Sequence, residues 1–110
     1  MNSKASDTPL VCNMNVFTPA ERDKHISSTS QLYQSVRSVH EVENGYEFAF
    51  PYESEMIIAL GKFISNEHRC CPFLEFTLKI TSHNVPISLL LTGLEGTQEF
   101  LRAEFSEAFL

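Results

Sequence analysis

Apolar and polar residues alternate over LVCNMNVF, residues 10–17, with Leu10, Cys12, Met14 and Val16 on one side and Val11, Asn13, Asn15 and Phe17 on the other. That period of two predicts a short strand carrying Cys12 on its apolar face. The pattern changes at T-P-A-E. Thr18 is placed to cap a helix, Pro19 fits the first helical position, and Glu21 completes a capping box. A helix is expected from Pro19 to about Gln34, although SSTS in its middle is poor in helix formers. Asn44-Gly45 between VRSVHEV and GYEFAF predicts a hairpin whose two-residue turn has positive φ at both positions. In its second strand Tyr46, Phe48 and Phe50 share one face.

Residues 53–70 carry the clearest helical period in the chain. Met56, Leu60, Phe63 and Ile64 follow the i, i+4, i+7, i+8 spacing of one buried stripe, and Pro72 stops the helix near Cys70. FLEFTLKI then alternates as a half-buried strand, and VPISLLLT supplies an apolar strand that pairs with it, with Pro86 marking a strand start or a sheet edge. Phe100, Leu101, Phe105 and Ala108 give an amphipathic closing helix over 97–108. The order predicts a single-domain α+β fold over residues 9–110: two hairpins and a short N-terminal strand form an antiparallel sheet covered by about three helices. Residues 1–8 read as a polar, flexible lead. A sheet with one uncovered face points to a homodimer.

Composition narrows the partners. A chain of 110 residues with 43% hydrophobic residues builds one core. Fourteen acidic against eight basic residues, a formal charge of −6, repel a phosphate backbone, so no nucleic acid is expected. The N-terminus lacks the apolar run of a secretory signal, and no segment approaches the roughly 20 apolar residues of a membrane span, so the expected compartment is the cytoplasm, with no membrane partner. Three cysteines, two of them adjacent, do not resemble the paired framework of a small secreted domain. Adjacent Cα atoms lie about 3.8 Å apart, below the usual disulfide range of about 4.4–6.8 Å, so the expected state is free thiols.

The candidate chemistry is in E-H-R-C-C-P, residues 67–72. Glu67 falls seven residues after Leu60 and eleven after Met56, on the apolar stripe, and its carboxylate is therefore expected to point inward. An inward carboxylate needs a cation, a hydrogen-bond network or a raised pKa. Thiolate, imidazole and carboxylate are zinc ligands, so Cys70, Cys71, Glu67, His68 and, if the first strand lies beside the helix end, Cys12 form the candidate metal set, for zinc or another thiophilic metal ion. The negative end of the helix dipole opposes spontaneous thiolate formation at this end. Pairing of Glu67 with Arg22, Arg37 or another protein group would remove most of the support for the metal reading. His25, His40 and His83 lack a ligand spacing and read as surface residues, and Glu41 and Glu43 as a solvated strand end.

EHRCCPFLEFTLKI followed by LLLTGLEGTQEFL resembles a group of small, mostly uncharacterised bacterial proteins with a Glu-x-x-Cys-Cys-Pro-Phe motif and a downstream Leu-Thr-Gly-x-x-Gly-x-x-x-Phe-Leu segment. The likeness covers about the C-terminal half and, more loosely, Cys12 and GYEFAFP. It marks Glu67, Cys70, Cys71, Pro72 and Phe73, then Thr92, Gly93, Gly96, Phe100 and Leu101, and it implies a motif acting as a unit without naming an activity. The leading expectation is a metal-binding protein rather than an enzyme. The alternatives are a thiol redox or detoxification protein using the vicinal cysteines, and a structural or interaction module in which the cysteines pack. No hydrolase triad, phosphate-cradling glycine loop or dinucleotide fingerprint is present.

Overall fold

The computed structural model describes residues 10–109, so the lead expected over 1–8 lies outside the described residues. In chain order the elements are α1 (Pro19–Tyr33), β1 (Ser38–Val42), β2 (Gly45–Phe50), α2 (Ser54–Cys70), β3 (Glu75–Lys79), β4 (Ile87–Thr92) and α3 (Thr97–Glu104). Single 3-10 turns occur at Met14–Val16 and Ser106–Phe109. The four strands form one antiparallel sheet in the order β1-β2-β4-β3. This is the expected α+β domain, with two differences in how the sheet is built.

The first difference is the N-terminal segment, which is not a strand. Its alternation survives as exposure, with Leu10, Cys12, Met14 and Val16 partly buried and Val11, Asn13 and Asn15 exposed. Its backbone bonds go elsewhere. The Asn13 side chain accepts from Asn15 N at 3.1 Å and turns the chain, while Asn13 N–H donates to the Cys70 carbonyl at 2.7 Å. A short polar side chain that bonds its own backbone competes with a strand ladder, and here it wins.

The second difference is the hairpin turn. Val42 pairs with Gly45, so the turn residues are Glu43 and Asn44, and of the two only Asn44 has positive φ, at 57°. Gly45 belongs to β2, where it also faces Thr92 of β4. A Cβ there would collide with the Leu91 carbonyl, so glycine is required by the approach of β4 and not by a turn conformation. β4 is an interior strand despite Pro86, because pairing begins at Ile87 and the missing N–H falls outside the ladder.

One sheet face builds the core. Register aligns Tyr46 with Leu91 and Phe76, and Phe48 with Leu89, Leu78 and Val39. α2 lays Leu60, Phe63, Glu67 and Cys70 against this layer. α1 contributes His25, Leu32 and Tyr33, and the last two hold the helix through its serine-rich middle. Tyr33 is the hub: it stacks on Phe105 at 4.3 Å and meets Phe48, Phe50 and Phe63 edge-on at 5.2, 5.8 and 5.5 Å. The opposite face carries the exposed Ser38, His40, Thr77 and Lys79 and has no helical layer among the described residues. None of the described helices is long and apolar enough to cross a membrane.

Gly45→Ala tests the hairpin register. Forcing a methyl against a neighbouring backbone should destabilise the fold by about 2 kcal/mol in urea unfolding, and a loss below about 0.5 kcal/mol would place Gly45 in the turn instead.

Candidate metal centre

The site forms where the last turn of α2 meets the N-terminal loop. α2 ends because Pro72 follows: Cys71 leaves helical geometry at φ −126°, ψ 68°, while its N–H still bonds the Glu67 carbonyl at 2.8 Å. Cys70 and Cys71 therefore both turn toward Glu67, one from the last helical position and one from just beyond it. The loop is held against this end by the Asn13–Cys70 backbone bond and by Arg69, whose Nη2 donates to the Val16 carbonyl at 2.9 Å and whose guanidinium lies 4.9 Å from the Phe17 ring centre. These contacts bring Cys12 to Cys71.

Cys12 and Cys71 are joined as a disulfide, with Cα atoms 4.6 Å apart. Free thiols at all three positions, the state expected from sequence, are thus not what this structure holds. Adjacency disfavours a Cys70–Cys71 bridge, but it says nothing about a partner 59 residues away. Cys70 remains a buried thiol. Its Sγ lies 3.5 Å from Cys71 Sγ and 3.8 Å from Glu67 Oε1, and Cys71 Sγ is 3.3 Å from Glu67 Oε2. Donor atoms of Cys12, Glu67, Cys70 and Cys71 all lie within 4.8 Å of one another, close enough to hold a metal ion.

Glu67 is buried on the apolar stripe, as its spacing predicts. Its partner is His25, whose Nε2 lies 2.8 Å from Oε1. His25 is 5% exposed, which corrects its reading as a surface residue. It sits seven and eight residues before the buried Leu32 and Tyr33, one helical stripe that could have revealed it. The ring also packs between Phe17 and Phe63, at centroid distances of 5.2 and 6.2 Å. His68 is exposed and outside the four-residue cluster, because the next position of α2 turns it away from the stripe. Because a protein group already satisfies Glu67, its burial alone does not call for an ion. What keeps a metal reading open is the gathering of three sulfurs near the same carboxylate.

Burial and the Glu67 charge favour the neutral forms of three groups around the site. Burial, then the neighbouring Glu67 carboxylate, push the Cys70 thiol up to about 12, so it stays protonated at neutral pH and is a weak nucleophile. Loss of water and the charge of Glu67 also raise the Glu104 carboxyl above its ordinary value, against a smaller opposing effect of His25. Tyr33, fully enclosed and near the same carboxylate, is raised as well.

Removing one partner of a buried pair leaves the other unsatisfied. His25→Ala should lower the unfolding free energy by about 3 kcal/mol, and adding Glu67→Met should recover more than half of that. A loss below about 1 kcal/mol for the single variant in urea melts would show that Glu67 has another way of being satisfied. No family model, curated protein or solved structure matches the chain.

Proposed function

We propose that the chain binds a thiophilic metal ion, zinc by preference, through Cys12, Cys70, Cys71 and Glu67 when its cysteines are reduced, and that the Cys12–Cys71 disulfide is the metal-free oxidised form. The observation that carries this reading is the mutual approach of the four donor atoms within 4.8 Å. Around a tetrahedral zinc with bonds near 2.3 Å to sulfur and 2.1 Å to oxygen, two sulfurs stand about 3.8 Å apart and a sulfur and an oxygen about 3.6 Å. The Cys70–Cys71 separation of 3.5 Å is close to the first of those edges. The carboxylate reaches the two sulfurs through different oxygens, Oε1 at 3.8 Å from Cys70 and Oε2 at 3.3 Å from Cys71, so a small turn of the group brings one oxygen to both. The bonded Cys12–Cys71 pair must open as well, since no ion fits between joined sulfurs.

His25 completes the arrangement by holding one carboxylate oxygen, the kind of hydrogen bond that orients a metal-ligating carboxylate. Binding converts thiols to thiolates, so uptake releases protons to solvent. The reducing cytoplasm expected from the sequence would keep the site in its metal-ready state, and the uncovered sheet face supports the expected homodimer. The resemblance of the Glu67 to Phe73 motif to a bacterial group is consistent with a site acting as a unit. A thiol redox role gains support from the disulfide, but the protonated, buried Cys70 thiol opposes rapid exchange.

Elemental analysis of untagged, fully reduced protein exposed to zinc and desalted should give about one equivalent, and the oxidised protein below about 0.1. Cys70→Ser and Cys71→Ser should each weaken binding by about 100-fold, whereas His68→Ala leaves it unchanged. Equal uptake by the oxidised and reduced forms, or none by the reduced form, would refute the assignment.

A further inference from the structure

A cavity of about 130 Å³ leads from the surface to the buried centre. Its wall runs from the exposed Ile26 and Glu104 down to the buried Glu67 and Cys70. Neither Cys12 nor Cys71 lines it, so anything that enters meets Cys70 and Glu67 first. Glu104 and Glu107 add two further carboxylates, and no lysine or arginine lines the space. Glu107 is fixed at the rim, where its Oε2 accepts from Ser30 Oγ at 2.9 Å. The Thr29 hydroxyl in the same wall is buried without a protein partner and is free to hold a water molecule. At roughly 30 Å³ per water, the space admits an ion with about three or four waters and excludes a bulky chelate.

We propose that this cavity is the route by which the metal reaches the centre, that Glu104 and Glu107 attract it, and that the ligand class is therefore a small, partly hydrated cation rather than a neutral or anionic complex. The proposal rests on the metal-binding reading above and adds the path and the charge of the species that travels it. Field lines from carboxylates around a low-dielectric cleft concentrate cations at its mouth, which raises the association rate and leaves the dissociation rate nearly unchanged. Glu104 and Glu107 are not ligands in the bound state, so they act on arrival.

The test is stopped-flow mixing of cadmium ion with the fully reduced full-length chain, read by thiolate-to-cadmium charge-transfer absorbance. At low ionic strength Glu104→Gln/Glu107→Gln should associate on the order of tenfold more slowly than the wild type, with a dissociation rate changed by less than about twofold. The difference should collapse at about 0.5 M salt. Glu41→Gln/Glu43→Gln removes the same charge from the β1–β2 hairpin and should associate at the wild-type rate. Association of the Glu104/Glu107 variant within about twofold of wild type at low salt, or equal slowing by the hairpin variant, overturns the route while leaving the metal site standing. Absence of any cadmium uptake by the reduced wild type overturns both.

Discussion

A buried carboxylate must find a partner, and the placement of Glu67 within the α2 stripe imposes that requirement on the whole fold. The partner is His25, 2.8 Å away on α1. Meeting this one constraint fixes how the two helices lie against each other, because the imidazole must reach the last turn of α2 while Phe17 and Phe63 close around it. Tyr33, two turns further along α1, then enters the aromatic cluster formed with Phe48, Phe50 and Phe105. An apolar residue at position 67 would pack without a histidine, but it would leave the three sulfurs with no oxygen donor among them.

The same helix end organises the cysteines. Pro72 forces the chain out of the helix at Cys71, and the Cys70 carbonyl takes the Asn13 N–H, so a helix-capping bond is also what delivers Cys12. The resulting cluster has two mutually exclusive chemical forms. With Cys12 and Cys71 bonded, the fold is tied across 59 residues and one thiol is left; in the proposed reduced form the same residues supply three thiols beside one carboxylate. The Cys70 thiol, held protonated by burial and by Glu67, is a poor nucleophile.

Most of the architecture could be read from periodicity, because α2, β2 and β4 each bury one regular face. The inward Glu67 was visible for the same reason, as a charged residue at an apolar position of a clear stripe. What escaped depended on contacts distant in sequence. The 10–17 segment alternates like a strand, yet its Asn13 bonds a helix end and its own side chain instead of a ladder. Gly45 reads as a turn residue, although its role is to let β4 approach. His25 was missed because α1 is weakly amphipathic, with its buried positions confined to His25, Leu32 and Tyr33. The Cys12–Cys71 pairing follows from the loop's docking, which no local pattern encodes.

The central claim concerns which atoms surround the ion, and X-ray absorption at the zinc edge of the loaded, reduced protein reads them directly. The account predicts three sulfurs at about 2.3 Å and one oxygen at about 2.0–2.2 Å. A shell containing no more than one sulfur, or one made of nitrogen and oxygen alone, would contradict it.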